Sequence, residues 1–279
     1  MGILNVTPDS FSDGGCYVTP ANAIRHAEQL AADGADVIDV GGESTRPGAA
    51  PVSVEEEVRR VLPVIRALAR RLRVPISIDT SKAEVARRAI EAGAAMVNDV
   101  TALRGDPRMA TVIAQAGVPV ILMHMRGTPQ TMQRRARYRD VVEDVKAFFA
   151  EAIQRAHAAG IASHKILIDP GLGFGKTLTH NLLLLQRLNE LTALGWPVVF
   201  GPSRKSFIGQ VQDAPIEERL AGTLACVGAA MRHGVQMVRV HDVKETVQFV
   251  TMWKAIVNAA GREHRPRGHR ASSPLGCCA

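Results

Sequence analysis

The chain has 279 residues and 46% of them are hydrophobic, which is enough for one large core. Only 4% are aromatic, which argues against a stacking surface for single-stranded nucleic acid, and much of the net charge of +7 comes from two basic segments, 134–139 and 262–270. We interpret these segments as solvated surface, although a small phosphorylated ligand would need only a few such charges.

No stretch approaches membrane-spanning length, and the N-terminus lacks the basic and then apolar pattern of a secretory signal. The four cysteines show neither metal-ligand spacing nor a disulfide framework, which fits a reducing compartment. We therefore expect a cytoplasmic protein with neither nucleic acid nor a membrane as a partner.

Short apolar, β-branched runs recur along the chain, with amphipathic segments between them. The eight runs are residues 2–5, 36–42, 75–80, 95–100, 119–124, 165–171, 197–203 and 236–242. Their nearly continuous hydrophobicity predicts strands buried on both faces, as in a parallel sheet, and several intervening segments end in a glycine that would stop a helix. Eight strand–helix units in this length predict an α/β fold, a single-domain (β/α)8 TIM barrel over residues 1–260. A doubly wound open sheet is the rival, and it is disfavoured because no glycine fingerprint follows the first strand.

The two ends of the chain carry further expectations. Residues 261–279 are polar and rich in Arg, Pro and Ser, which predicts a disordered basic tail. Met1 stands almost directly on the first predicted strand. We therefore expect the segment that would plug the base of the barrel to be absent.

The sixth predicted strand leads into the glycine-rich stretch DPGLGFGKT, residues 169–177, which has the look of a phosphate-binding loop. A Walker loop would require glycine where Pro170 stands, and proline offers no N–H to a phosphate. A dinucleotide fingerprint also fails, because Gly175 arrives one residue early. The stretch is therefore interpreted as a strand that delivers Asp169 to a tight glycine turn.

Nearly every predicted strand ends in a polar residue. In chain order these are Asn5, Asp39, Asp79, Asn98 with Asp99, His124, Asp169, Arg204 with Lys205, then Arg239 and His241. Because active sites of such barrels lie at the carboxyl ends of the strands, and because a ring of unpaired buried polar groups would be costly, a ligand is the better explanation. Carboxylates, an amide and a lysine suit a flat heterocycle with donors and acceptors, and an arginine can lie over its face. Asn5 and His241 could face a phosphate or its metal.

Seven motifs in unbroken order over residues 1 to about 258 resemble the dihydropteroate synthase family, a group of pterin-binding TIM barrels. They are GILNVTPDSFSDGG, DVIDVGGESTRPGA, ISIDTSK, VNDV, DPGLGFGK, SRKSFIG and VRVHDV. Within them NVTPDSFSDGG, GGESTRPGA and SRKS are specific to the synthase, whereas ISIDT, ND and DPG are shared more widely among pterin-binding barrels. The resemblance implies that 6-hydroxymethyl-7,8-dihydropterin pyrophosphate condenses with 4-aminobenzoate to give 7,8-dihydropteroate and pyrophosphate, through a pterin cation. It also implies Mg²⁺, a homodimer, competition by sulfonamides and a place in folate biosynthesis.

The resemblance also implies residue roles. Asp169, Asn98 and Asp79 would bind the pterin ring nitrogens, Lys205 its carbonyl, and Arg239 its face. Asn5 would lie by Mg²⁺ and pyrophosphate, His241 by pyrophosphate, and Thr45 and Arg46 by the phosphates, with Arg46 also near the second substrate. Phe11, Asp13 and Ser206 would frame 4-aminobenzoate, and Asp79, Lys205, Arg239 and His241 form the catalytic set.

Other strand-end residues have structural interpretations. Asp39 could fix the GGESTRPG loop as readily as touch a ligand, Asp99 would cap the following turn because it points away from Asn98, and His124 would be a structural partner. Phe174 could be pocket wall or core. Arg126 stands where the family commonly has Gln, which affects no catalytic expectation.

Two other functions remain open. A methyltetrahydrofolate-dependent methyltransferase barrel would share the strand-end Asp and Asn but lack the STRPG and SRKS loops. A non-catalytic pterin-binding paralogue would be expected to lose a key loop residue, and none is lost.

Overall fold

Parallel strands alternate with helices in the computed structural model, which describes residues 1–7, 19–46, 48–132 and 136–259. The strands are β1 (Gly2–Asn5), β2 (Ile38–Gly41), β3 (Ile76–Asp79), β4 (Met96–Asp99), β5 (Val120–Met123), β6 (Ile166–Asp169), β7 (Val199–Phe200) and β8 (Met237–Val238). The helices in the described ranges are α1 (Pro20–Ala32), α2 (Val54–Arg71), α3 (Ala83–Glu91), α4 (Met109–Ala116), α5 (Val141–Ala158), α6 (Leu178–Gln186), α7 (Leu188–Thr192), α8 (Ser206–Gln212), α9 (Leu220–Arg232) and α10 (Val243–Val257).

The strands close into a barrel. Strands β1 to β6 form one parallel sheet in sequence order, and β7 pairs with β8. A parallel bridge between Ile168 and Val198 joins β6 to β7, and another between Gly2 and Val240 joins β8 back to β1. The predicted (β/α)8 barrel is confirmed, and the rival open sheet is wrong because its edges would not meet.

Helix α2 illustrates why the connecting segments are helical. The Ser53 hydroxyl caps it by accepting the Glu56 N–H at 3.1 Å. Acidic residues occupy its first turn, where their negative charge interacts favourably with the helix dipole. Val61, Ile65 and Leu68 recur at helical spacing and are fully buried. This stripe faces the sheet, so the helix packs against the barrel wall.

The tail expected over residues 261–279 lies outside the described residues. Met1 packs inside the barrel beside Val37, Ile121 and Val199, and its amine donates to the Val238 carbonyl at 3.0 Å. Burial lowers the pKa of this amine. Among the described residues, no helix has the length and apolarity needed to cross a bilayer.

Candidate active site

The strand-end side chains meet at one rim of the barrel. Register pairs Asn5 with Gly41, Gly41 with Asp79, and Asp79 with Asn98, so these positions form one row across β1 to β4. A Cβ at Gly41 would lie 3.7 Å from Asp79 Oδ2 and 3.8 Å from Asn5 Oδ1. The missing side chain at Gly41 therefore leaves space between these two polar groups.

A pocket opens at this rim. Its polar lining comes from six strands or the loops that follow them, and its apolar wall is formed mainly by residues near β4 to β6. The lining residues are Thr45, Asp79, Asn98, Asp169, Lys205 and Arg239, with Val100, Met123, Gly171, Leu172, Phe174 and Gly201. The structure thus places five of the expected pterin-binding residues and Thr45 around one cavity.

Arg239 is the central cation of the pocket. Its Nε donates to Asp39 Oδ2 at 2.6 Å and its Nη2 to Asp79 Oδ2 at 2.8 Å. Two of the guanidinium nitrogens are thereby held by carboxylates in its plane, which leaves its flat face for a ring. Burial raises the pKa of Asp79 to about 7, because desolvation outweighs the attraction of Arg239 and the charge of Asp39 adds to the rise.

Asp39 bonds Arg239 and Asn98 and not the loop after β2, which was one of its two expected partners. Its Oδ2 accepts from Arg239 and from Asn98 Nδ2, the latter at 2.9 Å, while its buried Oδ1 has no hydrogen-bond partner among the described residues. The expectation that Asp39 fixes the GGESTRPG loop is therefore wrong. Because Asn98 must present its NH₂ to this carboxylate, its Oδ1 is the atom left for a ligand.

Asp169 and Lys205 stand on the opposite side of the pocket. Asp169 Oδ1 accepts the Gly171 N–H at 2.7 Å, and burial raises the pKa of this carboxyl. Lys205 Nζ lies 4.1 Å from the centre of the Phe174 ring, so Phe174 is pocket wall. Burial lowers the pKa of Lys205 to about 8. An acceptor and a donor thus line the same pocket.

Lys176 of the glycine-rich stretch closes its own turn. Its ammonium is buried and donates to the carbonyls of Gly171 at 2.9 Å and Phe174 at 3.1 Å, and it lies 2.8 Å from His124 Nδ1. Burial lowers the pKa of Lys176 to about 7 and keeps His124 neutral by lowering its pKa. The interpretation of this stretch as a strand followed by a tight turn is confirmed, as is the structural role of His124.

Gly171 is a position in that turn that admits no side chain. Its φ is +66°, and an added Cβ would lie 2.0 Å from the His124 carbonyl oxygen, which is backbone and cannot move aside. Gly117, which ends α4, has a similar φ of +64° but open space around it. The two glycines therefore separate backbone strain from steric overlap.

We expect Gly171→Ala to lower the free energy of unfolding by about 3 kcal/mol or more, because strain and overlap act together. Gly117→Ala should cost only about 1 kcal/mol, since strain alone acts there. Urea denaturation midpoints of both variants would measure the difference. Equal losses would show that the Gly171 turn accommodates a side chain.

His241 follows β8 and is held by Ser203. The Ser203 hydroxyl oxygen accepts the His241 backbone N–H at 3.1 Å and lies 2.9 Å from Nδ1. The hydroxyl proton is therefore free to bond Nδ1, which leaves Nε2 carrying the ring proton as a donor. Burial lowers the pKa of His241 to about 3, so the ring is a neutral donor at physiological pH.

Arg204 supports the site from outside the pocket. Its φ is +55°, and its Nε donates to Asp242 Oδ2 at 3.0 Å while its backbone N–H donates to Thr223 Oγ1 at 3.0 Å. These contacts hold the bend that turns Lys205 inward. Sequence reasoning missed Ser203 and Thr223, because each is recognised only by a partner 38 or 19 residues away.

The remaining expected residues are placed as follows. Arg46 is exposed on the loop after β2, and Ser206 begins α8 on a cleft beside the pocket whose other lining residues are Lys176, Thr177, Leu178, Asn181, Phe207 and Gln210. Phe11 and Asp13 lie outside the described residues. Asp99 accepts from the Thr101 and Leu103 N–H groups at 2.8 and 2.7 Å, which confirms its capping role.

Known proteins are similar to this chain over nearly its whole length. The family model described as pterin binding enzyme matches residues 1–241. Dihydropteroate synthase of Escherichia coli (strain K12) is 51% identical over 259 residues, which cover 93% of this chain and 92% of that protein.

Solved structures are similar to the same extent. The Yersinia pestis dihydropteroate synthase in a sulfonamide drug complex has a TM-score of 0.89 at 49% identity, covering 92% of this chain and 94% of that one. Dihydropteroate synthase of Xanthomonas albilineans with 4-aminobenzoic acid has a TM-score of 0.87 at 49% identity, and with 7,8-dihydropteroate 0.84 at 46%, each covering 92% of both chains. The chain belongs to the pterin-binding enzyme family and, within it, to the dihydropteroate synthases, which are transferases.

Proposed function

We propose that this chain condenses 6-hydroxymethyl-7,8-dihydropterin pyrophosphate with 4-aminobenzoate to form 7,8-dihydropteroate and pyrophosphate, in the cytoplasm, as a step of folate biosynthesis. The observation that carries the proposal is the set of buried acceptors and donors around one pocket: Asp79, Asn98, Asp169 and Lys205. Similar chains bind 4-aminobenzoic acid and 7,8-dihydropteroate.

The pocket chemistry suits a dihydropterin ring. An amino-pyrimidinone edge presents neighbouring N–H donors, which a buried carboxylate such as Asp169 accepts in parallel. Asn98 Oδ1 and Asp79 supply further acceptors for ring N–H groups, and Lys205 donates to the ring carbonyl. The face of Arg239, whose Nε and Nη2 are held by two carboxylates, lies against the ring.

The diphosphate would lie at the junction of β8 and β1. His241 offers a neutral Nε2–H donor, Thr45 lines the pocket, and Arg46 is exposed on its loop, where it can approach an anion. Mg²⁺ takes oxygen ligands and commonly keeps few protein ligands beside substrate phosphates, which the Asn5 amide oxygen at this rim fits. When bound by Asn5 and the substrate, Mg²⁺ would supply neutralising charge to the leaving diphosphate.

The reaction then follows from charge. The bond between the pterin methylene carbon and the diphosphate oxygen breaks, and the diphosphate keeps the electron pair. The methylene cation is delocalised into the ring, where the carboxylates of Asp79 and Asp169 stabilise it electrostatically. The amine nitrogen of 4-aminobenzoate donates its lone pair to form the C–N bond and loses a proton to water. The second substrate would lie near Ser206, Phe11, Asp13 and Arg46, where a sulfonamide would compete.

The direct test is incubation of the protein with both substrates and Mg²⁺ while pyrophosphate release and dihydropteroate are followed. We expect both products in equal amounts, and slow pyrophosphate release when the arylamine is omitted. Pterin binding without pyrophosphate release would show a non-catalytic binder. Methyl transfer from methyltetrahydrofolate without condensation would show the methyltransferase alternative.

The pH dependence of pterin affinity should report Asp79. Because the ionised carboxylate accepts a ring N–H and its pKa is raised to about 7, affinity should rise as pH increases through that value. Calorimetric titration with 6-hydroxymethylpterin, which has no phosphates to titrate, measures this between about pH 5 and about pH 8. In Asp79→Asn the acid limb should disappear, and its persistence would assign the titration to another group.

We also propose that the chain forms a homodimer through α10. Met252, Ile256 and Val257 are apolar yet at least 60% exposed, and the first two are one helical turn apart. A second copy of the same face would cover them. Met252→Glu with Ile256→Glu should give monomers by sedimentation, and unchanged mass would place the contact elsewhere.

A further inference from the structure

A buried ion-pair cluster stands behind the loop that follows β2. Lys82 Nζ donates to Glu57 Oε2 at 2.6 Å and also to Glu43 Oε2. The side chain of Glu57 is fully buried, whereas those of Lys82 and Glu43 are about 20% exposed. We call these three residues the Lys82 clamp. They come from three segments: the start of the β2–α2 loop, helix α2, and the residue that precedes α3.

Burial and ion pairing act in opposite directions on the clamp residues. Burial raises the pKa of Glu57, with hydrogen bonds from Lys82 and Thr80 acting against the rise. Burial alone lowers the pKa of Lys82, but the hydrogen bonds and charges of Glu43 and Glu57 outweigh it and raise it. Glu57 Oε1 has no hydrogen-bond partner among the described residues. Such a cluster gives weak net stability compared with apolar replacements of the same shape, so its value lies in fixing geometry.

What the clamp fixes is the stem of the loop. Gly42 rests on α2 so closely that an added Cβ would lie 2.7 Å from Val61 Cγ1 and 3.0 Å from Glu57 Cγ. Arg60 Nη1 donates to the Gly42 carbonyl at 2.9 Å. Glu43 is the next residue, and its carboxylate is the first side chain of the loop to be tied down.

The consequence reaches the pocket within two residues. Thr45 lines the pocket and Arg46 follows it, and two residues of extended chain span at most about 7 Å. An anchored Glu43 therefore restricts where Thr45 and Arg46 can lie. We propose that Lys82 is a positioning residue that acts through Glu43 to hold this loop over the pocket, and that Glu57 keeps Lys82 in place. The inference rests on the proposed function, because it concerns the loop that meets the second substrate.

The test must separate loop position from folding. Lys82→Met alone would leave Glu57 as a buried, unpaired carboxylate, so the informative variant is Lys82→Met with Glu57→Gln, which removes both charges. Lys82→Arg is the conservative variant. Lys146→Met is the matched control, since Lys146 is 30% exposed and bridges Glu143 and Glu190 on the outer helices.

The double variant should raise KM for 4-aminobenzoate about tenfold, with affinity for 6-hydroxymethylpterin changed less than about twofold. Lys82→Arg should recover most of the loss, and Lys146→Met should behave as the parent. Adding the double substitution to Arg46→Ala should cause little further loss, because both changes act on one loop. Additive losses, or equal losses for both ligands, would overturn the proposal.

Hydrogen–deuterium exchange provides a readout that does not need turnover. Amides of residues 43–50 should exchange faster in the double variant, while β3 and β4 keep their protection. Unchanged exchange in that loop would also overturn the proposal. If the parent released no pyrophosphate, the proposed function would fail, and the exchange experiment would still decide whether Lys82 holds the loop.

Discussion

Replacing Arg239 by methionine is expected to abolish pterin binding and to lower the free energy of unfolding by about 3–5 kcal/mol, because it leaves two buried carboxylates without their cation. Asp39 is fully buried and Asp79 nearly so, and Arg239 bonds both. A methionine fills much of the same volume, so lost packing contributes little. Equilibrium unfolding in urea at about pH 8 and titration with 6-hydroxymethylpterin would measure the two effects.

Two companion variants isolate the cause. Arg59→Met removes an arginine that is 78% exposed and pairs with Glu56, and it should change stability by less than about 1 kcal/mol. Adding Asp39→Asn to Arg239→Met removes one uncompensated charge, so part of the stability should return while binding does not. A loss as small as that of Arg59→Met would mean that the carboxylates are compensated in some other way.

Acidification gives an independent check on the direction in which Arg239 shifts the pKa of Asp79. The attraction of Arg239 lowers the pKa of Asp79 against burial, so removing it should raise that pKa further. A carboxyl whose folded pKa lies above its unfolded value loses stability as pH rises between the two values. The deficit of Arg239→Met should therefore shrink as pH falls to about 5, and a deficit that stays constant would contradict this assignment.

The barrel could be predicted because eight apolar runs require eight buried strands, but the strand bounds could not. The run predicted at 197–203 yields a strand of only two residues, Val199–Phe200. Pro202 offers no N–H to a ladder, and the positive φ of Arg204 turns the chain inward soon afterwards. Apolar runs report burial, whereas hydrogen-bonded strands end where the chain bends toward the site.

The membership of the candidate site followed from strand ends and motifs, but its internal partners did not. The ion pair of Asp39 with Arg239 joins residues 200 positions apart, and neither alternation nor spacing contains that information. Pro170 shows that the stretch containing Lys176 is not a phosphate loop. The contact of Lys176 with His124 could not be predicted, because it spans 52 positions. Local sequence identifies the polar groups that need hydrogen-bond partners at the buried rim. Closure of the barrel determines which of these groups bond to one another.

Asp169→Asn is expected to weaken pterin binding by about 100- to 1,000-fold while the protein stays folded. The amide oxygen can still accept the Gly171 N–H, which Asp169 Oδ1 now accepts at 2.7 Å, so the turn is preserved. The other atom becomes an NH₂ that faces the N–H donors of the amino-pyrimidinone edge. Loss of a charge-assisted pair, together with a donor left against a donor, costs about 3–4 kcal/mol, which corresponds to that factor.

The measurement is calorimetric titration with 6-hydroxymethylpterin, with Asp140→Asn as the control, since Asp140 caps α5 and asparagine caps equally well. A pterin without the 2-amino group should bind the parent weakly and Asp169→Asn hardly worse, because ligand and protein then lack the same interaction. Unchanged affinity in Asp169→Asn would show that the pterin does not bind in this pocket. Additive losses would show that the ring binds in the pocket with a different edge toward Asp169. Two changes give a non-additive loss only when the groups they remove contact each other.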